Sequence, residues 1–158
     1  MFKLKQSGCK EMFIGIESGS PRILKMIHKT SDVVLIKRTI DRVFQAGINV
    51  KGYFIFGFET ERSDDMQMSF DLAKNLKEIS LKSGVNFRTS VFQFRPYHGT
   101  ELYYDMIRKG RIIDEVVSSD GLSINIGRRQ FNFTSGNFSE VSDDDLQQFI
   151  IRTNGVNQ

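Results

Sequence analysis

The sequence lacks the features that mark secreted, membrane and metal-binding proteins. It contains a single cysteine, Cys9, so no disulfide can form within the chain and a secreted disulfide scaffold is excluded. No apolar run approaches the roughly 18 residues of a membrane span. The first residues also lack the apolar core of a signal peptide. We therefore expect a cytoplasmic protein with no membrane partner.

Charge and histidine content argue against a nucleic-acid-binding protein and against a histidine metal site. The net charge is +3 and the pI is about 9.0, a bias too weak to indicate nucleic-acid binding. The two histidines, His28 and His98, have no partner at metal-ligand spacing, so we predict no metal ligands. With 158 residues, 39% of them hydrophobic and 26% charged, the chain has the composition of one globular domain.

Three short apolar segments alternate with segments of helical periodicity. The segments are about 11–17, 50–56 and 86–94, and helices are expected at about 21–28, 32–46, 64–79 and 100–108. A repeat of about 40 residues with helices between strands predicts adjacent parallel strands, in part of a barrel or in an open sheet. The second strand shows no clean alternation, and we expect it to be covered on both faces.

The character of the chain changes after Gly110. Residues 111–141 are rich in glycine, serine, asparagine and phenylalanine, with short β-like pieces, and Ser142 opens a last helix to about Thr153. We predict two parts, a βα region over 1–110 and an extension over 111–158.

Four residues near the ends of the first two strands are candidates for binding a ligand. Glu17 and Ser18 end the first strand, where they either close it or line a site, because ligands bind at the carboxyl ends of parallel strands. Lys29 follows a short helix and either neutralises its dipole or meets an anionic ligand group. Gly57 either makes a turn or allows close approach of a ligand.

For the acidic cluster, the aromatic residues and the cysteine, the sequence favours a structural role over a binding site. Glu59, Glu61, Asp64 and Asp65 follow the second strand, and a solvated loop is favoured there over a metal site. The aromatic residues of 92–97 are expected in the core, with a stacking edge as the alternative. Cys9 reads as a buried structural thiol, since one cysteine cannot hold an iron–sulfur cluster.

Taken in order, these motifs resemble the radical S-adenosylmethionine (SAM) superfamily, and most closely its cobalamin-dependent, anaerobic-oxidoreductase-like branch. The matching segments are 8–9, 15–20, Leu24, Lys29, 46–50, 54–57, 58–61 and 96–103. The resemblance covers roughly residues 7–112. It implies an α/β fold, a TIM-like (β/α)6 partial barrel, of which this chain would supply roughly the last three βα units.

The resemblance also implies roles for particular residues toward SAM. Glu17 would contact the ribose, Ser18 would support it, and Lys29 would neutralise the methionine carboxylate. Tyr53 matches a position where some relatives place a ribose-binding polar residue. Gly57 would flank the adenine.

The remaining residues and cofactors that the resemblance implies lie further along or outside the chain. Gln93, Phe94 and Arg95 would lie along the adenine edge. The family holds a [4Fe–4S] cluster on a three-cysteine motif, which this sequence lacks together with the first half of the barrel. The parent protein would thus use SAM, the cluster and, through a separate domain, cobalamin. This chain alone would bind none of them, contain no catalytic residue and be inactive.

Two alternatives remain open at this point. The chain could be a natural truncated α/β module with a binding or regulatory role. It could also be the RNA-facing domain of a tRNA-modifying relative, although it shows no basic stripe interleaved with aromatic residues. Its expected partner is the missing half of the barrel. An isolated half barrel exposes sheet edges and an apolar face, so we also expect self-association.

Overall fold

Three parallel strands alternate with helices along the chain. The computed structural model describes residues 2–97, 99–112 and 136–157. The strands are β1 (Glu11–Glu17), β2 (Asn49–Phe56) and β3 (Phe87–Gln93). The helices are α1 (Phe2–Gln6), α2 (Pro21–Met26), α3 (Val33–Gln45), α4 (Ser63–Lys82), α5 (Glu101–Arg108) and α6 (Asp143–Gly155).

The three strands form one sheet in the order β1-β2-β3, with both pairs parallel. Lys51 of β2 pairs in register with Phe13 of β1 on one side and with Arg88 of β3 on the other. Within the described ranges, β1 and β3 each have a single strand neighbour, so the sheet is open. The predicted partial (β/α)6 barrel is therefore wrong. The repeat of strand and helix predicts parallel pairing, but barrel closure depends on strand tilt and stagger, which that repeat does not specify.

Most helices lie close to their predicted bounds. Four of them are capped by a side chain that accepts a hydrogen bond from the backbone N–H three residues on: Ser20, Asp32, Thr100 and Ser142. The third helix differs, because it begins at Ser63 rather than at 64 and runs to Lys82 rather than 79. The Asp65 carboxylate accepts from the Arg62 N–H at 3.0 Å, which makes Arg62 the residue before the first turn.

The core lies on one face of the sheet, beneath α3, α4 and α6. Along β2 the burial alternates strictly: Val50, Gly52, Phe54 and Phe56 are buried, and the residues that alternate with them are partly exposed. The prediction that this strand is covered on both faces is therefore wrong for the residues that the structure describes. The side chains on its partly exposed side include Tyr53 and Ile55. Because these residues are also largely apolar, the sequence of β2 does not alternate between apolar and polar residues.

The chain divides into two compact units, Met1–Gln93 with Asn137–Gln158 and Phe94–Gly136. The first contains the whole sheet. In the second, the described helix α5 buries Tyr103 and Met106. The short strands predicted within 111–141 fall mostly on residues 113–135, which lie outside the described ranges. No helix among the described residues combines the length and apolarity that crossing a bilayer demands.

Gly19 packs so tightly against α4 that a methyl group there has no room. A Cβ at this position would lie 2.4 Å from the Met68 carbonyl oxygen and 2.7 Å from the Ser69 Cα. We expect Gly19→Ala to lower the free energy of unfolding by about 3 kcal/mol, since backbone must move to relieve the overlap.

Urea denaturation checks this prediction against Gly155→Ala in the last turn of α6. A Cβ at Gly155 meets no atom within 4 Å, so we expect that variant to stay within about 0.5 kcal/mol of the wild type. Equal stability of the two variants would contradict the close contact between the β1–α2 connection and α4.

Candidate functional site at the carboxyl edge of the sheet

The end of β1 is a strained backbone conformation. Glu17 adopts φ = 64°, in the left-handed region that residues with a Cβ seldom occupy, and the pairing with β2 shifts register between Gly15 and Glu17. A strained residue of this kind persists only where its surroundings hold it, and such residues concentrate at ligand-binding sites. The irregularity makes Glu17 the first candidate on this edge.

Lys29 holds the Glu17 carboxylate in place. Its ammonium donates to the Gly15 carbonyl at 2.9 Å and to Glu17 Oε1 at 2.8 Å. The Glu17 side chain is 19% exposed and that of Lys29 is 41% exposed, so solvent reaches the pair. Glu17 Oε2 accepts no hydrogen bond from any described residue. The pair therefore leaves one carboxylate oxygen and one ammonium hydrogen for a ligand.

Ser18 does not face the solvent side of this edge. Its hydroxyl is fully buried, 3.1 Å from Ser69 Oγ of α4, and accepts from the Ser20 N–H at 3.1 Å. Ser69 Oγ also accepts from the Gly19 N–H at 2.8 Å. Ser18 thus fixes the connection after β1 to α4, and its supporting role toward a ligand stays a prediction.

Asp65 anchors the same connection from the first turn of α4. Its carboxylate accepts from Ser20 Oγ at 2.5 Å and from the Arg62 N–H at 3.0 Å, and it forms an ion pair with Arg22. Burial acts to raise the pKa of Asp65, but the hydrogen bonds from Arg22, Ser20 and Arg62 outweigh it and lower the pKa. Asp65 is therefore ionised in the folded protein at neutral pH.

Gly57 ends β2 in a turn that a buried carboxylate closes. Gly57 has φ = 94°, and its N–H donates to Glu61 Oε2 at 2.7 Å, with the Phe58 N–H donating to the same oxygen at 3.1 Å. Burial raises the pKa of Glu61 to about 7, against the opposing effect of these two hydrogen bonds. Glu61 Oε1 is buried and has no hydrogen-bond partner within the described part of the chain.

The other predicted residues are spread more widely. Tyr53 pairs in register with Gly15 and Ser90 and lies on the side of the sheet opposite α3, α4 and α6. Gln93 ends β3, whereas Phe94 and Arg95 belong to the second compact unit. The structure thus brings Glu17 and Lys29 into contact and places Tyr53 on the strand next to β1, which ends at Glu17.

The acidic cluster after β2 is mostly buried, contrary to the solvated loop that the sequence favoured. Glu59, Glu61 and Asp65 are at most 7% exposed, and Asp64 alone is exposed. Over the described ranges, no three histidine, cysteine, aspartate or glutamate side chains lie close enough to hold a metal ion. Cys9 is half-buried beside the core and donates weakly to the Glu11 carbonyl.

The sequence reading missed the polar residues of α4 that support this edge. Ser69 and Asp65 lie on the buried stripe of α4, together with Met66, Leu72 and Ala73. The available signal was a polar residue at an inward-facing position, where burial without a hydrogen bond would be unfavourable. Phe70 of α4 is only partly buried, with the Arg152 guanidinium 4.3 Å from its ring centroid.

Comparison with known proteins finds methyltransferases among the relatives. The chain is 37% identical over 76 residues to an uncharacterised methyltransferase of Pyrococcus horikoshii, covering 46% of the chain and 16% of that protein. It is 30% identical over 111 residues to bacteriochlorophyllide d C-12(1)-methyltransferase of Chlorobaculum tepidum, covering 69% and 22%. It is 30% identical over 119 residues to cytidylyl-2-hydroxyethylphosphonate methyltransferase of Streptomyces wedmorensis, covering 71% and 21%.

These matches replace the interpretation drawn from motifs. No protein-family model matches the chain, and the names of these relatives specify methyl transfer without mention of radical chemistry, iron–sulfur clusters or cobalamin. The prediction of a radical SAM, iron–sulfur oxidoreductase fragment is accordingly corrected to a relation with methyltransferases. The chain matches only about a fifth of the length of these relatives, 16% to 22%.

Glu61 makes the stability of the fold depend on pH. Its pKa is about 7 when folded, against 4.5 for the ordinary group, so the folded state binds more protons between these values. The contribution of Glu61 to stability is therefore present below pH 4.5 and is lost as the pH rises through 7. We expect it to fall by about 3 kcal/mol between pH 4.5 and pH 8, from the size of the pKa shift.

The comparison of wild type with Glu61→Gln isolates this contribution. The amide cannot ionise, so the difference in unfolding free energy between the two proteins should change by that amount across the window. Asp65 titrates below it, because its pKa is lowered. A pH-independent difference in urea denaturation would contradict the burial of the Glu61 carboxyl group.

Proposed function

We propose that this chain is part of a methyltransferase and that its carboxyl edge binds the methyl donor S-adenosylmethionine. The proposal is supported by the relatives, three of which are named as methyltransferases, and by the polar groups gathered at the end of β1. The acceptor and the reaction of the whole protein lie beyond the fifth of the relatives' length that the chain matches.

The observation that carries the proposal is the Glu17–Lys29 pair. A carboxylate oxygen with no partner among the described residues is suited to accept from a ribose diol, which offers two adjacent O–H donors. The left-handed φ of Glu17 and the Lys29 hydrogen bond fix that carboxylate before a ligand arrives. A preorganised acceptor loses little conformational entropy on binding.

Lys29 also supplies the positive charge that the donor requires. Two of its three ammonium hydrogens are used by Gly15 and Glu17, and the third is directed to a carboxylate such as that of the methionine part. Gly57 contributes a side chain-free surface rather than hydrogen bonds, because Glu61 occupies its N–H and Phe138 donates to its carbonyl at 3.2 Å.

The supporting residues divide into those that position the pair and those that extend the site. Ser18 acts through its hydrogen bonds to α4 and holds the backbone that carries Glu17. Tyr53 of β2 and Gln93 at the end of β3 remain proposed contacts for the rest of the ligand, and the contacts expected of Phe94 and Arg95 stay predictions.

Titration with S-adenosylhomocysteine, followed by amide chemical shifts, tests the proposal. We expect saturable shifts at Glu17, Lys29 and Gly57 with dissociation in the millimolar range, because the chain supplies only part of the contacts. Glu17→Gln and Lys29→Met should each weaken binding about tenfold, in keeping with the loss of one charge-assisted hydrogen bond.

Lys25→Met is the matched control for Lys29→Met. Lys25 is an exposed lysine on α2, four residues before Lys29, and it makes no salt bridge with a described residue. Its substitution should leave the affinity unchanged. Shifts confined to another surface, or equal losses from Lys25→Met and Lys29→Met, would overturn the proposed donor site.

A further inference from the structure

The face of the sheet opposite α3, α4 and α6 carries an aromatic surface over which no helix of 2–97 or 136–157 packs. We call this the open face and define it by Glu11, Phe13, Lys51, Tyr53, Arg88 and Phe92. Phe13 is 62% exposed and Phe92 is 53% exposed, although parallel sheets usually have both faces covered. Large exposed aromatic side chains grouped in this way mark a binding surface.

The rings of the open face form a continuous row across all three strands. The centroids of Phe13 and Tyr53 are 6.1 Å apart with planes at 77°, and those of Tyr53 and Phe92 are 5.8 Å apart at 27°. Edge-to-face and stacked contacts at these distances hold the rings in fixed orientations. The row presents a π surface to which a further flat ring can be added by stacking.

The charges of the open face are two cations, Lys51 and Arg88, and one anion, Glu11. Arg88 donates to both Glu11 oxygens, at 2.8 and 2.7 Å, and this hydrogen bonding lowers the pKa of Glu11, so that pair is neutral overall. The Lys51 ammonium lies 5.6 Å from the Phe13 centroid and 5.1 Å from the Tyr53 centroid. It makes no salt bridge with any residue of the described ranges. The open face therefore has a net charge of +1, centred between two rings.

Size and charge both disfavour a second copy of this chain as the occupant. Three strands about 4.8 Å apart, each rising about 3.3 Å per residue over some seven residues, give a face of roughly 300 Å². A stable protein interface buries about 800 Å² on each partner. Two copies would also bring the unpaired Lys51 charges together. A small flat anion matches the area and the charge.

We propose that the open face binds a planar aromatic ligand that carries a negative charge. The ring stacks on Tyr53 and Phe92, and its acidic group lies on the Lys51 ammonium. The inference that this ligand is the methyl acceptor rests on the proposed function, because only then does a methyl donor bind at the adjacent edge. The inference that the open face binds such a ligand rests only on the aromatic rings and the Lys51 charge.

Binding of 1-pyrenecarboxylate, read by fluorescence and amide shifts, tests this inference. We expect one saturable site with shifts at Phe13, Tyr53 and Phe92. The ring-matched cation 1-pyrenemethylammonium should bind at least about fivefold more weakly, because Lys51 repels it. Lys51→Met and Phe92→Leu should each weaken pyrenecarboxylate binding about fivefold.

Lys74→Met is the matched control. The Lys74 ammonium also lies over a phenyl ring, 5.8 Å from the Phe70 centroid, but both residues are on α4 and not on the open face. That variant should bind pyrenecarboxylate as the wild type does. Equal binding of the two pyrene probes, equal losses from the two lysine variants, or a dimer in sedimentation that excludes the probe would overturn the inference. Titrating the same samples with S-adenosylhomocysteine separates this proposal from the proposed function. Shifts at Glu17 without pyrenecarboxylate binding would refute the ligand site on the open face alone. Pyrenecarboxylate binding without shifts at Glu17 would refute the donor site alone.

Discussion

The buried hydrogen bonds between the end of β1 and α4 are the constraint on which this structure depends. Ser18 and Gly19 reach Ser69, and Ser20 reaches Asp65, across 45 to 51 residues of sequence. Loss of the Ser69 hydroxyl would deprive the buried Gly19 N–H of its acceptor, which is unfavourable by about 1–3 kcal/mol. These contacts hold the left-handed backbone at Glu17 and hence aim its carboxylate at the edge where Lys29 meets it.

The sheet has two different sides because α3, α4 and α6 pack on one of them. The core beneath α3, α4 and α6 supplies the stability, and the hydrogen bonds at its rim order the carboxyl edge. The opposite side keeps its aromatic rings in contact with solvent. Stability and binding are thus separated in space, so substitutions on the open face should leave the fold intact. The strained Glu17 belongs to the edge that joins the two.

Sequence reasoning recovered what local signals encode. The strands and the helix starts near Ser20 and Asp32 follow from patterns within a few residues, whereas the roles of Glu17 and Lys29 stay predictions. It did not recover Ser69 as the partner of Ser18, because that contact joins residues 51 positions apart. It missed the burial of Glu61, since an acidic residue after a strand ordinarily faces water. Motifs shared with a large superfamily suggested a barrel and a cluster, which neither the open sheet nor the named relatives support.

The most direct test of the account is a crystal structure of the chain grown with S-adenosylhomocysteine. The account predicts that the ribose hydroxyls lie within hydrogen-bonding distance of Glu17, about 2.6–3.0 Å for O–H donors. It also predicts that the amino-acid carboxylate of the ligand faces the Lys29 ammonium, with the Ser18–Ser69 contact unchanged. A nucleoside bound at any other surface, with Glu17 and Lys29 still paired only to each other, would contradict the central claim.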